Sequence, residues 1–166
     1  DLLLDIALDD MTAENPAGTR FRMVLDNDGD EEVGDLLADK RTLLGLSDAG
    51  AHASQLCDAC YSTHLLGHWV RERGALSLED AVRRLTSAPA QLFGIRDRGA
   101  LKPGYAADLL LFDPSTVGRG TKQRVFDLPG GHPRLTTPAL GVHGVWVNGV
   151  RELERLPGKF LRDFAA

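Results

Sequence analysis

The sequence predicts an α/β fold, and three observations carry that reading. Residues 42–46, "TLLGL", form a short apolar run preceded by a helical pattern and, before that, by an alternating run. Between residues 61 and 94 the apolar positions recur at helical spacing. Beyond Gly99, Pro-Gly and Asn-Gly pairs separate short apolar runs, as they do where strands are joined by tight turns.

The elements follow in order. Residues 2–11 are apolar on most sides, which predicts a helix with a wide buried face. Phe21, Met23 and Leu25 alternate as in a strand. "DGDEEVGDLLAD" spaces Val33, Leu36 and Leu37 helically and puts its acids at the helix start, where the dipole favours them. With residues 42–46 this makes strand, helix, strand: a βαβ unit, hence a parallel sheet. Leu65, Leu66, Trp69, Val70 and Arg73 form a helical stripe that Gly74 stops. In "LSLEDAVRRLTS", Ser77 is placed to cap the helix with Asp80 three residues on, and Leu78, Ala81, Val82 and Leu85 are expected to face inward. "SAPAQLFG" is a third helix, with Pro89 in its first turn and Gly94 at its end.

The punctuation then changes, which places a domain boundary between residues 1–98 and residues 99–166. Residues 109–112 read as a short buried strand, and Asn148-Gly149 as a hairpin turn. Residues 114–141, rich in Gly, Pro and Thr, read as a long loop, with His132 and Arg134 in a stretch that suits a lid.

Composition narrows the function classes. The 166 residues are 43% apolar and 26% charged, in the range of a globular domain but short of the ~250 residues of a complete eight-stranded α/β barrel. A net charge of -5 speaks against a nucleic-acid partner, and no apolar run approaches the ~20 residues of a spanning helix, so no membrane is expected. Two cysteines make no disulfide framework, and the cytoplasm is the expected compartment.

Asp48 is the first candidate for chemistry. It follows the run 42–46 by two positions, at the carboxyl end of the expected parallel strand, where α/β active sites form. Ala49 and Gly50 leave room for a ligand, and His52 stands four residues on, able to orient a substrate. A helix or turn cap explains Asp48 equally well from position alone. Cys57, Cys60, His64 and His68 invite a zinc reading that geometry opposes: on one helix Cys57 and His68 are on the order of 16 Å apart, whereas zinc ligands lie ~2.0–2.3 Å from the metal. Packing beside Leu65 and Trp69 is the preferred reading, with a metal shared by His64 and His68 left open. Phosphate-loop, dinucleotide and nucleophile-elbow motifs do not occur.

Three segments, "LLGLSDAGAH", "HLLGHWVRERGALSLEDAVRRLTSAPAQLFGIRDRGALKPGYAADLLLFDP" and "VHGVWVNG", resemble the carboxyl-terminal portion of the amidohydrolase superfamily, in its N-acyl-D-amino-acid deacylase (D-aminoacylase) type. The similarity runs over residues 21–149. It implies a metal-dependent (β/α)8 barrel joined to a small β-sandwich, with residues 1–98 giving the last βα units and residues 42–46 the eighth barrel strand. It also implies that Asp48 matches the family's active-site aspartate, which binds or faces zinc. As general base, that residue takes a proton from metal-activated water and passes it to the leaving amine. The substrate implied is a small linear amide such as an N-acyl-D-amino acid.

The family's His-x-His and its later Cys or carboxylated Lys and His ligands have no counterpart here. The chain, which opens without Met, is therefore expected to be a fragment. Zinc is expected only in the intact parent, the missing amino-terminal part of the barrel is an expected partner, and the piece alone is expected to be inactive and to dimerise. The competing expectation is a non-catalytic binding or assembly module built on an amidohydrolase remnant.

Overall fold

A computed structural model describes residues 2–13, 19, 29–45, 47, 49, 53–54, 59–151 and 157–161. The chain divides into two compact units, residues 1–33 and 34–166, so the expected boundary at 98/99 falls within the second. In the first unit, helix α1 (Leu2–Asp9) forms as its pattern predicts, yet none of its residues is buried, and Leu2, Leu3, Leu4, Ile6 and Leu8 are exposed. The strand expected at residues 20–27 lies outside the described residues. Helix α2 (Asp30–Ala38) carries Asp30, Glu31 and Glu32 in its first turn, as the helix dipole favours.

Residues 42–45, the described part of the run read as a strand, are not one. A strand exists through ladder hydrogen bonds to a neighbour, and these residues have no ladder partner among the described residues. Every described strand pair is antiparallel, and the other strand of the expected βαβ unit, at residues 20–27, lies outside the described residues.

The helices of the second unit follow their sequence signals. α3 (Tyr61–His64) continues into a π-helix (Leu65–Glu72), and Gly74, at φ 63°, ends it in the left-handed region that glycine enters freely. Leu65, Leu66 and Trp69 are buried there as their stripe predicts, whereas Arg73 is exposed. α4 (Leu78–Leu85) is capped by Ser77, whose Oγ accepts from the Asp80 amide at 3.1 Å. Of its expected inward face, Ala81 is buried and Val82 is exposed. α5 (Ser87–Leu92) closes the helical part.

Three small sheets follow among the described residues. β1 (Leu109–Phe112), β6 (Val142–Val147) and β7 (Val150–Arg151) form one sheet in the order β1-β6-β7. The expected hairpin joins β6 to β7 through Asn148 and Gly149, at φ 50° and 79°. Its turn is tied down: the Asn148 amide donates to Asp108 at 2.8 Å, and Arg98 donates to the Asn148 side-chain oxygen at 2.8 Å. Leu109, Leu110 and Leu111 are 38%, 52% and 54% exposed, so β1 is not the buried strand its apolar run suggested.

The segment 114–141 is also not a loop. It holds β2 (Gly118–Arg119) paired with β5 (Ala139–Leu140), and a hairpin of β3 (Gln123–Leu128) and β4 (His132–Thr136). Gly130 and Gly131, at φ 75° and 70°, make the tight connection between the hairpin strands. β2 reaches the core through Val117, 1% exposed, which precedes it and whose carbonyl accepts from Arg71 of the π-helix. Gly67 permits this approach, because a Cβ there would fall 2.8 Å from that same carbonyl oxygen.

Candidate functional site

Asp48, Gly50 and His52 lie outside the described residues, as does Cys57. The described residues on either side of them are anchored at both ends, and the anchors come from different elements.

The first anchor is Arg84 of α4, only 3% exposed. Its Nε donates to the Asp80 carboxylate at 2.7 Å. Its other nitrogens reach back to the start of the Asp48 segment: Nη2 donates to the Asp39 carbonyl at 3.2 Å, and Nη1 lies 3.4 Å from the Thr42 carbonyl oxygen. A buried guanidinium must spend its donors on protein acceptors, and these are the ones available. Arg84, with Arg83 second, holds the Asp80 carboxyl below its ordinary value. Thr42 is fixed further through its hydroxyl, which donates to the Leu36 and Asp39 carbonyls at 2.7 and 2.8 Å. Asp39 grips Arg41 in a two-pronged pair at 3.0 and 2.5 Å, and the Arg41 hydrogen bond lowers the Asp39 carboxyl.

The second anchor is β4. The Leu135 amide donates to the Ala53 carbonyl at 2.9 Å, so the hairpin read as a loop is tied to the chain just beyond Asp48. Arg134 braces that hairpin from β4 with a bidentate pair to Asp127 of β3, at 2.6 and 2.7 Å. Between the anchors, the Ala49 amide donates to Ser47 Oγ at 3.3 Å. Thr42 precedes Asp48 by six residues and Ala53 follows it by five.

The apolar stripe of α4 hides Arg84 from a sequence reading. A usable signal is the Asp80 to Arg84 spacing of four, with Arg84 also three residues beyond Ala81 on the buried face. Nothing local in the sequence announces Leu135, because its partner is 82 residues away.

His64 and His68 do come together, as the helical spacing implies. Their rings stack at 4.9 Å and 7°, and Trp69 meets His68 edge-on at 4.9 Å, with both histidines half-buried rather than in the core. Cys60 is a free thiol.

A family model described as "Amidohydrolase family" matches residues 6–151. The chain belongs to the amidohydrolase family. Within it the chain is D-aminoacylase-like. It is 38% identical over 136 residues to the D-aminoacylase of Alcaligenes xylosoxydans xylosoxydans, matching 81% of this chain and 25% of that one. To the N-acyl-D-aspartate deacylase of the same organism it is 41% identical over 87 residues, 52% of this chain and 16% of the other. Among solved structures, the N-acyl-D-glutamate deacylase of Bordetella bronchiseptica, complexed with zinc and a phosphonate inhibitor, is 42% identical over 57% of this chain and 18% of that one, with a TM-score of 0.46. This amidohydrolase chain thus spans about a quarter or less of the length of these relatives.

The donors required for zinc do not assemble among the described residues of this amidohydrolase. No group of three His, Cys, Asp or Glu side chains there could hold a metal ion, and a catalytic zinc takes three protein ligands. That part of the chain does not fit a zinc centre.

Proposed function

We propose that this chain supplies the aspartate-bearing segment of a hydrolase that cleaves the linear amide bond of N-acyl-D-amino acids. The supporting observation on this chain is the double anchoring of the segment around Asp48, by Arg84 on one side and by Leu135 on the other. A general base must be held within hydrogen-bond reach of the proton it takes, and a segment fixed at both ends serves that need. Similarity to D-aminoacylase over 81% of the chain supplies the reaction class.

In this reading Asp48 accepts a proton from the water that attacks the amide carbonyl carbon. The tetrahedral centre then collapses, the C–N bond breaks, and Asp48 returns the proton to the departing nitrogen. A carboxylate and a free amino acid leave. Gly50 and His52 border the substrate. Zinc is the cofactor of the intact protein; no step is assigned to it through the described residues, which do not form its site. The (β/α)8 barrel and the β-sandwich to which residues 99–166 contribute belong to the same proposal, as does a cytoplasmic setting. The chain by itself is inactive.

The test is amine release from a panel of N-acetyl-D- and N-acetyl-L-amino acids by the intact protein that carries this chain. Hydrolysis of D-substrates is expected, with none by the 166-residue chain alone. Failure to release amine from any N-acyl amino acid would overturn the reading.

One observation favours the second reading, an assembly module. Among the described residues β1 is an edge strand with Leu110 and Leu111 more than half exposed, and exposed apolar edges seek strand partners. An inactive intact protein, together with self-association of this chain that Leu110→Lys abolishes, would put that reading first.

A further inference from the structure

A cavity lies between the π-helix and β2. Its volume is about 280 Å³, near the small end of the roughly 300–1,000 Å³ of ligand pockets. α3 and the π-helix contribute His64, His68, Arg71 and Glu72; β2 and the residues before it contribute Thr116, Gly118 and Arg119.

The charges on these walls are unequal in a way that selects a ligand. Arg71 and Arg119 are permanently cationic, and Glu72 is the lone carboxylate among the described lining residues. Glu72 is already engaged: one oxygen stands 3.0 Å from His68 Nδ1 and the other accepts from Arg71 at 3.4 Å. Arg71 also donates to the Val117 carbonyl, so its guanidinium is largely committed. Arg119 is not. Its backbone pairs with Ala139, while its side chain enters no hydrogen bond or ion pair among the described residues. The stacked imidazoles of His64 and His68 complete the wall. A cation entering here would meet two guanidiniums and an occupied carboxylate. An anion would meet one uncommitted guanidinium and two imidazoles.

We propose that the cavity between the π-helix and β2 binds a small oxyanion, a carboxylate or a phosphate, with Arg119 as its main charge partner. Its test needs no turnover. The histidine ring resonances of the 166-residue chain are followed by NMR while inorganic phosphate, and separately acetate, is added. Saturable shifts of His64 and His68 are expected with at least one of the two anions, and the responding anion distinguishes the phosphate source from the carboxylate source. Arg119→Gln is expected to weaken that binding about tenfold, the scale of one lost charge-assisted hydrogen bond, while Arg96→Gln, at an exposed residue that does not line the cavity, leaves it unchanged. No saturable shift with either anion, or undiminished binding in Arg119→Gln, overturns the proposal. Saturable shifts with zinc chloride in place of the anions would also overturn it, by making the histidine pair a metal site.

Discussion

Arg84 and Asp80, one turn apart on α4, form a 2.7 Å ion pair in which the arginine is 3% exposed and also holds the chain at Asp39 and Thr42. The pair therefore links the capped end of a helix to the segment that leads to Asp48. Asp80→Asn leaves the buried guanidinium without its counter-charge and is expected to cost roughly 1–3 kcal/mol. That is below the roughly 3–5 kcal/mol of a fully buried pair, because a third of the Asp80 side chain meets solvent. Arg84→Met keeps the packing and removes the charge, so the double variant should be destabilised by less than the sum of the singles. Urea unfolding of the four proteins checks this, and strict additivity would refute a coupled pair.

The same pair sets a pH dependence. Arg84, then Arg83, depresses the Asp80 carboxyl below its ordinary 3.8. The stability it adds is complete above that unfolded-state value and is lost as pH falls through the depressed folded-state value. Denaturant midpoints should therefore fall as the solution is acidified below 3.8, and in Asp80→Asn the fall should be shallower. Asp127, lowered by Arg134, acts with the same sign on the β3–β4 hairpin.

Gly67 marks where the π-helix meets the chain at β2. An added Cβ would stand 2.8 Å from the Val117 carbonyl oxygen and 2.9 Å from the Gly118 Cα, both backbone atoms that cannot swing aside. Gly67→Ala should cost about 1–3 kcal/mol by overpacking. It should also raise hydrogen exchange at the β2–β5 amides, whereas Gly74→Asn, at an open position, should leave those amides as they are.

What the sequence made legible follows from the range of each signal. The Ser77 cap, the glycines at 74 and 94, and the Asn148-Gly149 turn are decided within a few residues, and each stands where it was read. The strand expected at residues 42–46 is absent over residues 42–45, and the loop expected at residues 114–141 holds strands, for one reason. Pairing makes a strand, and neither apolar content at Leu43 and Leu44 nor polar content at Gln123 and Arg124 reports a partner. Burial at Leu109–Leu111 was misread because an apolar run does not say what covers it. At the candidate site the sequence singled out Asp48 but not its anchors. Arg84 looks like a surface arginine beside Arg83, and the Leu135 bond to Ala53 joins distant parts of the chain.

The central claim is that Asp48 moves the proton in amide hydrolysis. The most direct measurement is kcat for N-acetyl-D-amino acid hydrolysis by the intact protein carrying Asp48→Asn, with circular dichroism and urea unfolding as controls for the fold. Loss of a general base typically removes ~10²–10⁴ of rate, so kcat should fall at least that far while the unfolding midpoint is unchanged. A variant that keeps its fold and hydrolyses at a rate near wild type would contradict the claim.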